Sequence, residues 1–540
     1  MDTRLKEDRQ KLGAATEQAG NPGSPLDAMV EELEAKKAKT VREMGGPKLI
    51  EKQHELGKWT ARERIARLFD AETFVEMGVL AHHQEQSGDM AGRSTPADGV
   101  VTGYGKVNGR MACVAAYDFT VMAGSMGRVG EKKVSRMREW ALKNRSPLIW
   151  LIDSAGARIQ EAASSRFAET GDIFFEEVRM SGVVPLVCAM MGPGAAGTAY
   201  VPALADFVPM VKGTSFMALG GPPLVKAAIG EDVTEEELGG SKVHCEVSGV
   251  GDVEVPDDAA CIDTIRDYLS YFPQHNQERP PVLTTADPFD RRCERLTQLV
   301  PVEINKAYDM RKVIAEIVDD SRFFEIKPRW ARNMVTGFAR VAGRSIGIVA
   351  NQPMWMGGAI DVNASDKAAR FIQLCDAFNI PLLYLVDTPG FMIGSAVEKQ
   401  GIIRHGAKFL YATADATVPK FTVVVRKAFG AGYYVMNGRA YEPDLLVAWP
   451  NAQVSLMGAQ GAVNIIFRKE IAKADDPVLR RQELVAEYQS KIGTELVASA
   501  ALIDDVINPA DTRRVLALAL ERCENKQLER PWKKHGVLPV

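Results

Sequence analysis

The sequence has no hydrophobic run long enough to cross a membrane. A membrane-spanning helix needs roughly 18 or more consecutive apolar residues, and no stretch of this chain approaches that length. The first twenty residues, MDTRLKEDRQKLGAATEQAG, are charged and contain no apolar core, so they do not read as a secretory signal. We therefore expect a protein with no membrane partner and a cytoplasmic location.

Cysteine is also scarce, and no CxxC pair is present. An odd number of scattered cysteines fits reduced thiols, and it argues against both a zinc site and a disulfide framework. The seven cysteines are Cys113, Cys188, Cys245, Cys261, Cys293, Cys375 and Cys523. The formal net charge is only −4, which argues against a nucleic-acid partner. We expect no bound metal.

What the chain does contain is a repeat. Matching residues recur at a constant offset (337 − 103 = 234) over almost a hundred positions. The matched pairs are Gly103 and Gly337, Pro147 and Pro381, Asp153 and Asp387, and Pro185 and Pro419. At 540 residues the chain is also far longer than the roughly 250–300 residues at which one core stops growing. The same fold therefore occurs twice.

Each copy alternates apolar strands with helices after an initial β-hairpin. Near-continuous apolar strands separated by helices predict a buried, mostly parallel sheet in an α/β fold. We expect residues 1–24 to form a mobile tail, residues 25–286 the first domain and residues 287–540 the second. Ligands of such sheets lie outside the carboxyl ends of the strands.

A small-residue turn follows a buried strand at the same place in each copy. The two turns are GPGAAGTAYV, residues 192–201, and RKAFGAGYYV, residues 426–435. Backbone N–H groups at a strand-to-helix turn can form an oxyanion hole. For one isolated turn, close packing of strand on helix is the better explanation; the duplication at matched positions favours the oxyanion hole.

Two other motifs are weaker than they look. GPGAAG matches the dinucleotide-binding pattern, but it lies deep within a domain, and the matching turn in the second copy lacks the spacing. GRSIG, residues 343–347, matches the nucleophile elbow, yet it leaves a hairpin and enters a strand. Its serine, Ser345, corresponds to Met111 in the first copy. We reject a serine hydrolase.

Several segments together resemble one family. They include DSAGARIQEA, GPGAAGTAYVPALADF, DKAARFIQLCDAFNIPLLYLVDTPGF and AWPNAQVSLMGAQGAVNI. Over roughly residues 25–540 the chain resembles the carboxyltransferase (β) subunit of biotin-dependent acyl-CoA carboxylases, of the propionyl-CoA or methylcrotonyl-CoA type. The resemblance implies two tandem crotonase-like (ClpP/crotonase) domains, the first binding acyl-CoA and the second binding biotin.

The resemblance also implies roles for the two turns. N–H groups of Ala196 and Gly197 would hold the thioester oxygen, and those of Gly430 and Ala431 would hold the biotin ureido oxygen. Each pair has one alanine where the family has glycine, and an alanine keeps its N–H in place provided that its φ is negative. Gln460 stands where the family usually has glutamate.

Further residues follow from the same resemblance. We expect Ala155, Gly156, Arg158, Tyr200 and Tyr434 to contact the substrate. Tyr434 occupies the position of an aspartate in propionyl-type members, so the acyl group is open, with propionyl-CoA as the default.

Three more side chains have open roles. Lys132 and Lys133 open a helix and can either meet CoA phosphates or form a solvated helix end. His405 lies toward the biotin side, with a structural role at least as plausible as a chemical one.

The implied activity needs a partner. The chain has no Met-Lys-Met biotinylation site and no recognisable biotin carboxylase segment. The resemblance implies a biotin carboxylase/biotin carboxyl carrier (α) subunit, a hexamer of this chain and an α6β6-type complex. Two alternatives stay open: the carboxyltransferase subunit of a biotin-dependent acyl-CoA decarboxylase, and a scaffold subunit with weakened catalysis.

Overall fold

The computed structural model describes residues 24–163 and 165–540. The predicted mobile tail lies outside the described residues except for Ser24. The Ser24 side chain accepts a hydrogen bond from the N–H of Leu26 and so caps the first helix. Helices and strands are numbered below in chain order.

The first half of the chain contains one set of helices and one set of strands. The helices are α1 Pro25–Glu43, α2 Pro47–Glu55, α3 Ala61–Leu68, α4 Arg128–Asn144, α5 Ile159–Ala162, α6 Asp172–Met180, α7 Gly197–Leu204, α8 Pro222–Ile229, α9 Glu235–Gly239 and α10 Asp258–Ser270. The strands are β1 Val75–Met77, β2 Val100–Val107, β3 Arg110–Tyr117, β4 Leu148–Ser154, β5 Leu186–Ala195, β6 Pro209–Val211, β7 Phe216–Ala218 and β8 Val253–Val255.

The second half repeats this organisation. Its helices are α11 Leu296–Leu299, α12 Met310–Ile317, α13 Val362–Ala377, α14 Ser395–Lys399, α15 Ile402–Asp415, α16 Ala431–Val435, α17 Ala459–Ile466, α18 Arg468–Ile471, α19 Pro477–Ser490, α20 Thr494–Ser499 and α21 Thr512–Arg522. Its strands are β9 Phe323–Ile326, β10 Met334–Val341, β11 Arg344–Asn351, β12 Leu382–Thr388, β13 Lys420–Phe429, β14 Leu445–Ala448, β15 Gln453–Ser455 and β16 Asp505–Val506.

Each half folds around its own mixed sheet. The first sheet has the strand order β1-β2-β3-β4-β5-β6-β8, and β7 pairs with β5. The second has the order β16-β14-β13-β12-β11-β10-β9, and β15 pairs with β13. In both sheets the first hairpin is antiparallel, and the strands that follow it are parallel. The α/β class predicted from the apolar strands is confirmed.

The internal duplication is visible in the register of the strands. Strands β2 to β5 and β10 to β13 begin and end 234 residues apart. The irregularity between β4 and β5 also recurs: Ser154 pairs with Gly194, and Thr388 pairs with Ala428. Because even this local break in the ladder is repeated, the two halves share one fold down to the level of single residues. The exact boundary at residues 286 and 287 stays a prediction.

Aromatic side chains join the two halves. Tyr268 of α10 is fully buried, stacks on Phe207 with ring centroids 4.2 Å apart, and meets Phe338 of β10 edge-on at 5.9 Å. Lys327 of the second half forms a buried ion pair with Asp252 of the first, at 2.8 Å. One hydrophobic core therefore runs across the junction.

Among the residues that the structure describes, none of the helices has the length and apolar character needed to cross a bilayer.

Candidate active site

The two turns lie at the carboxyl ends of central strands. Strand β5 ends at Ala195 and α7 begins at Gly197, whereas β13 ends at Phe429 and α16 begins at Ala431. Each turn thus has a single residue, Ala196 or Gly430, between strand and helix. This is the edge of a parallel sheet at which ligands bind, as expected from the order of elements.

The first N–H of each turn is already used. The Ala196 N–H donates to the carbonyl of Ala218 at 3.1 Å, and the Gly430 N–H donates to the carbonyl of Ser455 at 2.9 Å. These bonds join the turns to β7 and β15. Ala196 and Gly430 are therefore not available as oxyanion donors, which corrects half of each predicted pair.

The next N–H groups are the available ones. Gly197 and Ala431 are the first residues of their helices and so have no carbonyl four residues back within the helix. No described residue accepts a hydrogen bond from either N–H. Thr198 and Gly432 follow as the second helical residues. Each turn therefore has two consecutive N–H groups without an intrahelical partner, shifted one residue along from the predicted pair. Gly197 is partly exposed and Ala431 is exposed, whereas Thr198 and Gly432 are buried.

The backbone of Ala196 departs from the sequence-based condition. An alanine with negative φ was required, but Ala196 has φ +54° and ψ −115°, close to the φ +56° and ψ −146° of Gly430. An L-residue with a Cβ is strained there by roughly 1–3 kcal/mol. The turn keeps its shape because the hydrogen bond to Ala218 and the start of α7 over-determine it.

The Asp-x-x-Gly loops form walls beside the turns. The Ala155 N–H donates to the carbonyl of Ala123 at 2.9 Å, and the Gly156 N–H donates to Ser154 Oγ at 3.1 Å. In the second copy Pro389 has no N–H, and the Gly390 N–H donates to Thr388 Oγ1 at 3.1 Å. The N–H groups of these loops are therefore already bonded, and the loops form walls beside the turns without supplying free donors.

A buried carboxylate anchors each wall. Asp153 is fully buried and accepts from Lys58 Nζ at 2.7 Å and from Arg64 at 3.0 Å. Gly192 makes room for this lysine, because a Cβ there would lie 2.8 Å from Lys58 Nζ and 1.9 Å from the carboxylate.

The matched aspartate is paired differently. Asp387 accepts from the Tyr308 hydroxyl at 2.8 Å and from Arg426 Nε at 3.0 Å, both of which are buried. Lys427 Nζ lies 3.3 Å from the other carboxylate oxygen. Sequence reasoning missed these supporting residues; the signal was the cation pair Arg426-Lys427 directly after three valines inside a buried strand.

Arg158 does not face a ligand. Its side chain is fully buried and donates to Asp98 Oδ1 at 2.6 Å, to Glu161 at 2.8 Å and to Ser125. Because these partners occupy its donors, Arg158 holds the loop after β4 in place. The expected contact with CoA or with the acyl pocket is corrected to a structural role.

The two lysines at the start of α4 differ. Lys133 Nζ donates to the carbonyls of Ala97 at 2.8 Å and Val100 at 2.6 Å, and burial lowers its pKa to about 8. It is neither a phosphate ligand nor a solvated helix end. Lys132 is exposed.

The two matched tyrosines are half exposed. Tyr200 is 50% exposed and meets Phe174 edge-on at 5.7 Å; Tyr434 is 48% exposed, with its ring 6.0 Å from that of Tyr433. Each tyrosine lies four residues after Ala196 or Gly430 and keeps about half of its surface exposed.

His405 has a structural partner. Its Nδ1 lies 2.8 Å from Asp366 Oδ1, which joins α15 to α13. Lys408 Nζ binds the same carboxylate oxygen at 2.8 Å. His405 is thereby held against Asp366 rather than directed toward the second turn.

A cavity of about 480 Å³ adjoins the second turn. Its walls come from the loop before α12, from Pro389 and Phe429, and from the start of α17. The lining residues are Ile304, Asn305, Lys306, Ala307, Pro353, Gly357, Pro389, Arg426, Lys427, Phe429, Gly458, Ala459, Gln460, Gly461 and Gln489. Within residues 24–163 and 165–540, no cluster of histidine, cysteine and carboxylate side chains could hold a metal ion.

Comparisons with known proteins identify the family. The family described as "Carboxyl transferase domain" matches residues 52–538. The chain belongs to the carboxyl transferase family. It is a carboxyltransferase, and the expected resemblance is confirmed.

Three relatives are similar over nearly their whole length. The methylmalonyl-CoA carboxyltransferase 12S subunit of Propionibacterium freudenreichii subsp. shermanii is 47% identical, over 96% of this chain and 98% of its own. The methylmalonyl-CoA decarboxylase subunit alpha of Propionigenium modestum is 45% identical (95% and 99%). The human mitochondrial propionyl-CoA carboxylase beta chain is 45% identical (92% and 91%).

A solved structure confirms the fold. The crystal structure of transcarboxylase 12S, with methylmalonyl-coenzyme A and methylmalonic acid bound, superposes with a TM-score of 0.92 at 46% identity, covering 96% of this chain and 99% of that one. The two tandem crotonase-like domains that the resemblance implies are therefore confirmed.

The strain at Ala196 gives a testable prediction. We expect Ala196→Gly to raise the melting temperature by about 2–4 °C, because glycine adopts this φ at no steric cost, and about 1 kcal/mol corresponds to such a shift in a domain of this size. The reciprocal change, Gly430→Ala, should lower it by a similar amount. Thermal unfolding followed by circular dichroism measures both.

Ala199→Gly is the matched control for this experiment. Ala199 lies within α7, where glycine costs about 1 kcal/mol relative to alanine, so the melting temperature should fall. A fall with Ala196→Gly as well would contradict the assignment of strain to Ala196.

Proposed function

We propose that this chain is the carboxyltransferase subunit of a biotin-dependent acyl-CoA carboxylase. It transfers a carboxyl group from carboxybiotin, carried by a partner subunit, to the α-carbon of an acyl-CoA, with propionyl-CoA as the favoured substrate. The observation that carries the proposal is the pair of matched turns at the carboxyl edges of the two sheets, each followed by a helix whose first N–H groups have no intrahelical partner.

The first turn is proposed as the acyl-CoA side. The N–H groups of Gly197 and Thr198 donate to the thioester oxygen and stabilise the negative charge that develops there when the α-proton leaves. Preorganised donors of this kind stabilise an oxyanion without reorganising during the reaction. Gly156 and Tyr200 border the same turn and limit the space for the acyl group.

The second turn is proposed as the biotin side. The N–H groups of Ala431 and Gly432 face the ureido oxygen, and the adjoining cavity of about 480 Å³ has room for a bicyclic ring. Carboxybiotin supplies the carboxyl group when bound and, once that group has left, a base for the α-proton. The chain itself then needs no side-chain base.

The arrangement of subunits is part of the proposal. The related transcarboxylase 12S is described as a hexamer assembly within a multienzyme core, and we propose a hexamer of this chain within an α6β6-type complex. A cytoplasmic location fits the seven cysteines, all of which are buried free thiols.

A second candidate is the decarboxylase direction, which uses the same two turns in reverse. It is favoured by the 45% identity to a methylmalonyl-CoA decarboxylase subunit. The scaffold alternative is suggested by the two alanines in the turns, and neither alanine removes a donor. Ala431 keeps an N–H that is unpaired among the described residues, and the N–H of Ala196 is bound to the carbonyl of Ala218 as that of a glycine would be.

The experiment that tests the proposal uses the purified chain with and without a biotinylated partner. Alone it should fix no bicarbonate with ATP. With a biotin carboxylase and a biotinylated carrier it should carboxylate propionyl-CoA. Bicarbonate fixation by the chain alone, or no transfer with any biotinylated carrier, would overturn the proposal.

The roles of the two turns give a mutational prediction. Proline has no N–H, so Gly197→Pro and Ala431→Pro each remove one donor, and loss of one oxyanion donor costs on the order of 100–1,000-fold in turnover. Steady-state kinetics with propionyl-CoA measure the loss. Val362→Pro places the same residue at the start of α13 and should leave turnover within about twofold.

Size-exclusion chromatography must show that the proline variants remain assembled. Near-normal turnover in an assembled Gly197→Pro or Ala431→Pro protein would show that the turn is not an oxyanion hole.

Tyr434 gives a prediction about specificity. Tyr434→Asp replaces a half-exposed ring by a short carboxylate, so we expect the ranking of kcat/KM among acetyl-, propionyl-, butyryl- and methylcrotonyl-CoA to change. One methylene in a close-fitting pocket is worth roughly 10–200-fold. Tyr434→Phe keeps the bulk and should keep the ranking. An unchanged ranking in Tyr434→Asp would mean that Tyr434 does not border the acyl group.

A further inference from the structure

A lysine ammonium faces the cavity beside the second turn. Lys427 lies on β13, three residues before Gly430, and its side chain is 10% exposed. It lines the cavity together with Pro389 and Phe429, which are the immediate neighbours of Gly390 and of the turn. Burying an ammonium without partners costs free energy. The hydrogen-bond partners of Lys427 therefore indicate whether its role is structural or whether it binds a ligand.

The partners of Lys427 are distant. Its Nζ lies 3.3 Å from each of three oxygens: the carbonyls of Ile304 and Gly357 and the carboxylate of Asp387. An ammonium bound to a carboxylate usually comes closer, at about 2.7–2.9 Å, as Lys58 does to Asp153 at 2.7 Å. All three contacts of Lys427 are therefore longer than a charge-assisted hydrogen bond usually is.

The other cations of the cavity do not share this property. Arg426 donates hydrogen bonds to Asp387 and to the carbonyls of Pro301, Glu303 and Lys306. Lys306 is 65% exposed and paired with Glu303 at 2.8 Å. Only neutral and cationic side chains line the described cavity. Behind it, Asp387 accepts from Tyr308 and Arg426 at Oδ2, and its Oδ1 is the oxygen that lies 3.3 Å from Lys427. The cavity favours an anion next to Lys427.

The fold does not require a cation at this position. Lys427 occupies the place of Pro193 in the first copy, 234 residues earlier. The strand pairing shows the same correspondence: Lys427 pairs with Gln453 on β15, and Pro193 pairs with Phe216 on β7. The first copy makes the same strand with proline, so the strand itself does not need a lysine here; in that copy Lys58 supplies the ammonium beside Asp153 Oδ1, at 2.7 Å.

We propose that Lys427 binds the carboxylate of carboxybiotin. The inference rests on the proposed function, and it adds a residue that distinguishes the loaded carrier from the empty one. The ammonium keeps its proton and takes no part in making or breaking bonds. It supplies one charge-assisted hydrogen bond to a group that uncarboxylated biotin lacks, so the carrier binds more tightly when it carries a carboxyl group.

Binding of two stable probes tests this without turnover. The probes are biotin amide, which is neutral, and a biotin amide bearing a carboxymethyl group on the ureido nitrogen, which carries a carboxylate. For the assembled wild-type protein, isothermal titration should show tighter binding of the carboxymethyl probe. Lys427→Met should remove about 10-fold or more of that preference, the usual worth of a hydrogen bond to a charged group, and leave the biotin amide affinity unchanged.

Lys306→Met is the matched control, because it removes a cation of the same cavity that is already paired with Glu303 at the surface. Its probe preference should equal that of the wild type. If Lys427→Met keeps the preference, the proposal for Lys427 is wrong and the biotin assignment stands. If the wild type binds neither probe, the biotin side of the proposed function is wrong.

A second measurement keeps a positive charge at position 427. Burial lowers the pKa of Lys427, so the wild-type preference for the carboxylate probe should fall as the pH rises toward the ordinary lysine range. Lys427→Arg keeps its charge there and should hold the preference constant. The charged groups around Lys427 are Asp387, Arg426 and Lys306, and both proteins share them. An identical pH dependence in the two proteins would overturn the proposal.

Discussion

One backbone hydrogen bond in each half sets the geometry of the whole site. The bond from Ala196 to Ala218, and its counterpart from Gly430 to Ser455, fastens the residue after a central strand to a short neighbouring strand. Both residues turn the chain at positive φ, and the two residues that follow begin a helix, so their N–H groups have no carbonyl four residues back within it. Gly197 and Ala431 begin their helices because the residue before each of them is hydrogen-bonded to the neighbouring short strand.

The duplicated fold solves one electrostatic problem in two ways. Both copies bury an aspartate at the end of the strand next to the turn, and a buried carboxylate without partners would be strongly destabilising. The first copy brings Arg64 from α3 and Lys58 from the loop before it, and Gly192 makes the space. The second copy uses Arg426 from the adjacent strand and Tyr308 from the loop before α12. Arg426 and Tyr308 both donate to Asp387 Oδ2, and Lys427 Nζ lies 3.3 Å from Oδ1.

Much of this organisation can be predicted from the sequence. A constant offset of 234 residues and apolar strands between helices suffice for the duplicated α/β fold and for the position of both turns. These features depend on periodic patterns of residues, which can be seen in the sequence without knowing the fold. The allocation of individual N–H groups depends on a strand twenty or more residues away, so the choice between Ala196 and Gly197 could not be made from the turn alone.

The sign of φ at Ala196 has the same origin, since alanine ordinarily indicates negative φ. The burial of Arg158 and Lys133 was also hidden from the sequence. Their partners Asp98, Ala97 and Val100 belong to a segment whose pattern gave no sign that it folds back over α4.

The route by which each aspartate is paired has a consequence for modularity. The second half carries its counterions within residues 308–426, close to the sheet that needs them. The first half borrows Lys58 and Arg64 from α3 and the loop before it, outside the strands. A fragment of the first half that starts at β1 would contain every strand of its sheet and still leave a bare carboxylate in its core. The smallest self-sufficient unit is therefore defined by charge balance rather than by the limits of the sheet.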